Sequence, residues 1–331
     1  MAATRVKMRR LLILVSLLCS AIITGVVVGA VWIGPADVFH TLFRSEPDEA
    51  DRVARVIVWD LRLPRVLLAA LVGVGLSASG AAYQGLFRNP LAEPFVIGSA
   101  SGAALGATLA IVNNWSFVPV TLAAFLGAVG AVAITYTCDT VVRSESSAGL
   151  LLTGVAVGTL LNALVWVLMT WNDRELARII GWLMGSLSGR GWADLARIAP
   201  WLACGTLGVW LLARPLDALA EGEEAARGLG LPIRTAIGLV IAAASLAAAS
   251  AVAAAGIIGF VGLIAPHIAR RLVGESHAWL IPASGLVGAT LMVLADTAAR
   301  TLTAPTELPV GVITAALGGP FFLYLISRRG V

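Results

Sequence analysis

The sequence predicts an all-α membrane protein with about ten transmembrane helices. The first observation is composition: 59% of the 331 residues are hydrophobic and only 13% are charged, about half the ~25% charged residues of soluble domains. The second is a series of apolar segments long enough to cross a bilayer. The third is that these segments lack the short alternating pattern of a β-barrel. Because backbone polar groups in lipid must be satisfied internally, the segments are expected to be helices.

The apolar segments define one transmembrane domain over residues 1–331, with no soluble domain of any size. The first segment follows the basic stretch MAATRVKMRR and is longer than the apolar core of a signal peptide, so we expect a retained span. The seventh and eighth segments nearly run together. The ten predicted spans cover 11–33, 64–87, 95–112, 117–137, 148–171, 193–213, 235–256, 257–273, 279–299 and 308–327.

The basic residues indicate the orientation of the chain. With the N-terminus placed inside, a small majority of the arginines fall on the inner side, a weak positive-inside bias. Ten spans then place both termini in the cytoplasm. The arginines are dispersed between apolar segments, which gives no reason to expect nucleic-acid binding.

The sequence excludes several kinds of chemistry. Lys7 is the only lysine, and a P-loop needs a lysine directly after its glycine-rich turn. An ATPase would therefore be a separate polypeptide that carries ATP and Mg²⁺, and we expect no cofactor on this chain. Cys19, Cys138 and Cys204 match no metal-site spacing. We expect no metal site and no catalytic residues.

Few ionisable residues lie deep in a predicted span. Asp296 and Arg300 are four residues apart, so they share a helix face and are expected to pair, and Glu307 precedes Pro309 at the mouth of the last span. These residues could form an interfacial ion pair, take part in docking, or act as coupling groups of an ion-driven secondary transporter. An intramembrane enzyme is a third reading, which the absence of a nucleophile–base pair disfavours.

Three long segments carry a family resemblance: Leu61–Gly106, which begins LRLPRVLLAALVGVG, Gly259–Gly274 (GFVGLIAPHIARRLVG) and Leu294–Arg329. Together, and in order, they resemble the permease family of ABC importers for iron–siderophores, haem and cobalamin. The resemblance implies a cobalamin-permease-like fold, a homodimer with the pathway at its interface, and two ATP-binding subunits. It also implies an extracytoplasmic substrate-binding protein and a place in the bacterial cytoplasmic membrane.

The polar stretch at residues 216–232 resembles the family's cytoplasmic coupling loop, which forms two short helices that sit in a cleft of the ATPase. Acidic residues here precede a basic one, as the helix dipole favours, and Pro232 would end the element. Arg270 and Arg271 would form a second cytoplasmic contact. The predicted ATPase-coupling residues are Leu216, Leu219, Glu221, Glu223, Glu224, Arg227, Gly228, Leu229, Gly230, Arg270 and Arg271.

On the outer side, the resemblance implies that Arg62, Arg65 and Arg300 receive glutamates of the binding protein. Plain anchoring of helix ends at the interface is the alternative. The segment Ala177–Gly189 resembles the family's short outer helix beside the entrance.

The resemblance also places gate residues at Asn89 and Leu91 in one loop and at Ser146 and Ser147 in another. The fifth span should line the pathway. We expect Thr153, Gly154, Val157 and Leu161 to form its pathway face because their spacing fits one side of a helix.

Overall fold

The structure is a computed structural model that describes residues 2–29, 31, 33, 34, 38, 41, 49–115, 119–142 and 147–328. These residues form α-helices and short helical turns, and no strand is present among them. In chain order the α-helices are α1 (Ala2–Val27), α2 (Glu49–Arg55), α3 (Leu63–Leu86), α4 (Ser99–Val112), α5 (Val120–Val142), α6 (Ser147–Trp171), α7 (Leu176–Leu183), α8 (Trp192–Leu211), α9 (Ala213–Ala220), α10 (Glu223–Gly228), α11 (Ile233–Ala255), α12 (Val261–Val273), α13 (His277–Thr301) and α14 (Val310–Arg328).

The helices confirm the predicted all-α membrane fold. Six described helices are long and apolar enough to cross a membrane, or seven if α8 and α9, bent by 53° against each other, count as one span. The other predicted spans are shorter helices: α4, α12 and α14. Each of the ten predicted segments is therefore helical, although not every helix is long enough to cross alone.

A break between α11 and α12 accounts for one short helix. The backbone takes positive φ at Gly256 (73°) and at Phe260 (68°), which ends one helix and delays the next. The predicted span over 257–273 consequently begins only at Val261.

The long helix that contains α3 widens before its proline. Residues Val56–Arg62 form a π-helical segment that joins α2 to α3, and Pro64 stands in the first turn of α3. Proline has no N–H to donate to the preceding turn, so a wider helical turn just before it is a physically reasonable solution.

Helix α3 lies at the centre of the bundle and packs along α13. Nearly all of its residues are buried. At the crossing, a Cβ atom added to Gly73 would overlap the backbone carbonyl of Gly288, and one added to Gly288 would overlap the Ser77 hydroxyl. Small residues let the two backbones approach, which is how helices gain packing energy in lipid.

The bundle has two ends, which we name by their short helices. The α9–α10 end carries that helix pair and the N-terminal part of α1, where Arg10 donates a hydrogen bond to the carbonyl of Leu272 at the end of α12. The α7 end carries α7, the first turns of α8 and the turn between α13 and α14.

Candidate functional site

The polar stretch at residues 216–232 folds as two short helices. Helix α9 ends at Ala220, Gly222 turns the chain with a φ of 120°, and α10 follows. Glu223 and Glu224 lie in the first turn of α10 and Arg227 in its last, so charge and helix dipole agree as expected.

One side of this pair is buried in the bundle. Leu216 and Leu219 are 0% and 2% exposed and join a core cluster with residues of α3 and α11. This geometry departs from the prediction that the two leucines contact a partner, because the side of the helix that lies three and six residues after its start, Ala213, faces the bundle. The surface left open is formed by Glu221, Glu224, Arg227, Gly228, Leu229 and Gly230.

Asp217 fixes the pair to α13, a contact that the sequence analysis missed. Its Oδ1 accepts hydrogen bonds from the backbone N–H of His277 (2.7 Å) and pairs with His277 Nδ1 (2.6 Å), and its Oδ2 accepts one from the Ser276 hydroxyl (3.2 Å). A carboxylate at a helix N-terminus satisfies free N–H groups and complements the dipole. Helix α9 is thereby clamped to the first turn of α13.

Residues predicted to form the inner gate and the second ATPase contact lie near the α9–α10 end. Asn89 Oδ1 accepts a hydrogen bond from the Leu91 N–H (2.9 Å), which closes the turn that Asn-Pro predicted, and the Leu91 side chain is exposed. Arg270 donates to Gln84 Oε1 (3.2 Å), whereas Arg271 is exposed.

Glu93 lies in the same loop as Asn89 and Leu91, and the second predicted gate consists of Ser146 and Ser147. The Glu93 carboxylate accepts a hydrogen bond from the backbone N–H of Phe260 (3.4 Å), which ties the loop to the start of α12, and burial raises its pKa. Ser146 lies outside the described residues. Ser147 is the first residue of α6.

Helix α6 turns its predicted pathway face toward its own chain. Gly154 is buried because its backbone lies against Val96 and Ile97, which differs from the expectation that it lines a pathway. Thr153, Val157 and Leu161 are half-buried. The opposite face is open and consists of Val155, Thr159, Asn162 and Trp166, spaced i, i+4, i+7 and i+11.

At the α7 end, five charged residues form what we call the closed arginine cluster: Arg62, Arg65, Asp296, Arg300 and Glu307. Arg65 donates from Nε to Asp296 Oδ1 (2.9 Å) and from Nη1 to both carboxylate oxygens of Glu307 (3.0 and 2.9 Å). Arg300 Nε lies 3.1 Å from Asp296 Oδ2, which confirms the expected i,i+4 pair.

The other donors of this cluster satisfy the end of α1. Arg62 donates to the carbonyls of Val26 and Val27 (3.0 and 2.7 Å), and also to that of Val31. Arg300 Nη2 donates to the carbonyl of Gly25 (2.9 Å). The last carbonyls of a helix lack intrahelical partners and carry its negative dipole end, so guanidinium groups suit them.

The three arginines of the closed arginine cluster are inaccessible in this conformation. Arg62, Arg65 and Arg300 are 5%, 8% and 5% exposed. Each has its partners within the chain, so none presents a free guanidinium group to a protein outside. The geometry thus departs from the docking prediction, and it brings together Arg65, Asp296 and Glu307 from three separate stretches.

A second group of arginines at the same end is open, and we call it the arginine cavity. It is a cavity of about 430 Å³ between the tips of α4 and α5, helix α7 and the start of α8. The sequence analysis named only the surrounding segment, Ala177–Gly189. Its described lining residues are Ile111, Pro119, Val120, Thr121, Arg178, Trp182, Arg190, Asp194 and Arg197.

Comparison with known proteins identifies the family. The model of the FecCD transport family matches residues 13–328, nearly the whole chain. The chain belongs to the FecCD transport family. Relatives of this FecCD member include the cobalamin import permease BtuC of Halobacterium salinarum, 45% identical over 84% of this chain and 75% of that protein. The hemin transport permease HmuU of Yersinia pestis is 41% identical over 88% of each chain.

A solved structure agrees with the sequence relatives. An inward-facing metal-chelate type ABC transporter superposes with a TM-score of 0.85 at 34% identity, covering 96% of this chain and 98% of that one. This FecCD member is therefore a multi-pass membrane protein and a permease subunit of an ABC transporter, a transport component rather than an enzyme.

Proposed function

We propose that this FecCD family member is the membrane subunit of an ATP-driven importer that moves a metal chelate, such as a ferric siderophore or haem, or cobalamin, into the cytoplasm. The relatives support this substrate class, because one is named for cobalamin, another for hemin, and the related structure for a metal chelate. A cargo of this class has both apolar and polar surface, so a lining of mixed and weakly polar residues suits it.

The α9–α10 pair is the observation that carries the proposal. It is open to a partner along Glu221, Glu224 and Leu229, while Leu216 and Asp217 hold it to the bundle. A partner that moves this pair moves the start of α13 with it. We therefore assign the ATPase contact to the α9–α10 end, with Arg271 as an additional exposed cation there.

The transporter would be assembled from two copies of this chain, two ATP-binding subunits and an extracytoplasmic substrate-binding protein. ATP and Mg²⁺ would be bound by the ATPase, and this chain would hold no cofactor. The α9–α10 end would face the cytoplasm, with both chain termini on that side, and the membrane would be the bacterial cytoplasmic membrane. The binding protein would then approach the α7 end.

The pathway would lie between two copies, along the open face of α6. Thr159 and Asn162 stand near the middle of this span and are exposed in the single chain. Polar side chains inside a membrane face a partner helix or a water-filled cavity rather than lipid. We therefore assign Val155, Thr159, Asn162 and Trp166 to the pathway or the dimer interface.

The ion pairs of the closed arginine cluster disfavour an ion-driven secondary transporter. The candidate coupling carboxylates, Asp296 and Glu307, both pair with arginine. Protonation of Asp296 would leave the buried Arg300 without its carboxylate and Arg65 with only the partly exposed Glu307, which is costly. A structural role for these carboxylates fits the geometry better than reversible proton binding.

Co-purification with the ATPase of the same system tests the proposal. The chain is expected to copurify with it and to support ATP hydrolysis that the loaded binding protein stimulates. Replacing Glu221, Glu223 and Glu224 together with Ala should abolish the stimulation, and Asp217→Ala should reduce it by releasing α9. Arg174→Gln, a change at the α7 end, is the matched control. Failure of the wild-type chain to associate with an ATPase would contradict the proposal.

A further inference from the structure

We propose that a groove between α1 and α8 holds one acyl chain of an anionic phospholipid, and that Lys7 and Arg214 bind the phosphate of that lipid. We call this cavity the α1–α8 groove; residues of α3 and α13 complete its wall. The inference goes beyond the proposed function and does not depend on it, because it requires only that the chain spans a membrane.

The α1–α8 groove is apolar and leads from the surface to the centre of the bundle. Its volume is about 500 Å³, and Ala203 and Leu207 at its rim are exposed. Leu71 and Val74 of α3 also line it, and both are only half-buried in a helix whose residues are otherwise almost all buried. None of its described lining residues is charged, and Thr206 carries the only hydroxyl group among them. Water needs several polar partners in a cavity, so a hydrocarbon chain suits this one better.

A proline fixes the end of the groove that lies toward the α9–α10 end. Pro282 has no N–H, so the carbonyl of Ala278, four residues earlier, has no donor within α13. Trp210 Nε1 donates a hydrogen bond to that carbonyl (3.2 Å). The bond holds the indole ring in the wall of the groove. Tryptophan side chains are enriched where helices meet lipid headgroups, which places the headgroup of a bound lipid beside Trp210.

Helix α1 carries a cation on the same face as its groove residues. Lys7, Leu11 and Val15 are spaced i, i+4 and i+8, so Lys7 continues the groove wall by one turn toward the α9–α10 end. The Lys7 Nζ lies 3.9 Å from the position that a Cβ on Gly274 would take, at the turn before α13. Lys7 forms no hydrogen bond or ion pair with the described residues. Its ammonium group is therefore available to a phosphate.

The other charges at this end favour an anion as well. Arg214 follows Trp210 by four residues, is exposed, and forms no hydrogen bond or ion pair with the described residues. Arg10 adds a third positive charge, although it already donates to the carbonyl of Leu272. The nearby carboxylates are that of Glu275, which is exposed, and that of Asp217, which is engaged by the start of α13.

The two parts of the site have different roles. Hydrocarbon outside the protein is as apolar as the groove, so the groove selects a chain by shape and gives no preference for one headgroup. Basic residues at the membrane surface attract anionic lipids, and the attraction falls off within a Debye length. Lys7 and Arg214 would therefore make the site selective for phosphatidylglycerol over phosphatidylcholine.

Lipid binding to the purified full chain tests the headgroup contact. Native mass spectrometry measures binding of added phosphatidylglycerol and phosphatidylcholine to the chain in detergent. The wild type is expected to bind one phosphatidylglycerol per chain at least about tenfold more tightly than phosphatidylcholine, and Lys7→Gln/Arg214→Gln should lose this preference. Equal affinities of the wild type for the two lipids would overturn the inference.

A second double variant controls for the loss of charge. Arg5 and Arg9 are exposed on α1, each two residues from Lys7, and therefore lie on the opposite face of the helix. Arg5→Gln/Arg9→Gln removes the same charge at the same end, and it should keep the preference within about twofold of wild type because the lost charges lie away from the site. An equal loss in both double variants would mean that general charge attraction, and not a site, binds the lipid.

Filling the groove tests the acyl-chain contact. Ala203→Phe places a ring in the groove, and Cys204→Phe places one on the neighbouring exposed position outside it. Phosphatidylglycerol should raise the apparent melting temperature of the wild type and of Cys204→Phe, because a ligand of the folded state stabilises it. In Ala203→Phe the rise should vanish, together with at least about nine-tenths of the bound lipid.

Two outcomes would assign the site to another occupant. If glycerol phosphate, which has the phosphate but no acyl chains, displaces the lipid at low millimolar concentration, the cations form an anion site alone and the inference is wrong. If Ala203→Phe leaves lipid binding unchanged and instead dissociates a dimer in size-exclusion chromatography with light scattering, the groove holds a second copy and the inference is again wrong. Neither outcome affects the proposed function, because these measurements use no ATPase, binding protein or transported substrate.

Discussion

Two groups of arginines lie at the same end of this molecule, yet their surroundings give them opposite properties. The closed arginine cluster holds Arg65 between Asp296 and Glu307 and leaves it 8% exposed. The arginine cavity leaves Arg197 exposed and without a partner among the described residues. Burial and the supply of carboxylates, rather than residue type or position along the chain, decide which arginines stabilise the fold and which remain available for binding.

The largest loss of stability is expected from removing Asp296, the central carboxylate of the closed arginine cluster. Asp296→Asn leaves Arg65 and Arg300 buried without their shared countercharge, and breaking a buried pair in this way typically costs about 3–5 kcal/mol. A denaturant titration in mixed micelles should show a matching loss in the free energy of unfolding. A loss below about 1 kcal/mol would mean that the cluster is not a stabilising element.

A somewhat smaller loss is expected from forcing apart the two helices that carry the cluster. In Gly73→Ala the new methyl group would overlap the carbonyl of Gly288, so α3 must shift from α13, at a cost of about 1–3 kcal/mol. Gly130→Ala on α5 is the matched control because nothing lies within 4 Å of its added Cβ. The same titration should show Gly130→Ala close to wild type; equal effects of the two changes would argue against the close crossing.

Glu307, at the exposed rim of the closed arginine cluster, should contribute less to stability than Asp296 at its buried centre. Glu307 is 34% exposed, so solvent screens its pair with Arg65. Glu307→Gln is expected to cost no more than about 1 kcal/mol in unfolding free energy, and the cost should shrink as salt is raised. An effect as large as that of Asp296→Asn would place the two carboxylates on an equal footing and remove the distinction between centre and rim.

The smallest stability effect is expected in the arginine cavity. Arg197→Gln should change the free energy of unfolding by less than about 0.5 kcal/mol, as for other surface substitutions. Denaturant titration of the purified variant measures this quantity. A clear destabilisation would show that Arg197 has a partner that stabilises the fold, and the contrast between the two groups would weaken.

The sequence predicted the parts of this structure that depend on local spacing. The i,i+4 spacing of Asp296 and Arg300 correctly predicted their pair, and the acidic and basic ends of α10 followed from its charge order. Each of the ten apolar segments contains a helix, although only six of the described helices, or seven if the bent pair counts as one span, are long and apolar enough to cross a membrane. The break before α12 was missed, because positive φ at Phe260 is not visible in an apolar run.

Contacts between distant stretches could not be derived in the same way. Arg65 and Asp296 are 231 positions apart, and no local pattern shows that they meet. The same holds for Asp217 and His277, whose contact depends on how α9 folds back onto α13. Burial of Leu216 follows from that packing as well, so a residue expected at a partner's surface lies in the core.

Transport in proteoliposomes tests the central claim most directly. The chain is reconstituted with its ATPase, and ATP is supplied on the α9–α10 side. Labelled cobalamin, haem or a ferric siderophore is added in complex with the binding protein on the other side, and its uptake is measured. The account predicts uptake of one of these ligands that requires ATP and the binding protein, stops with vanadate and persists when ionophores collapse ion gradients. Uptake that proceeds without the ATPase and follows a proton or sodium gradient would contradict it.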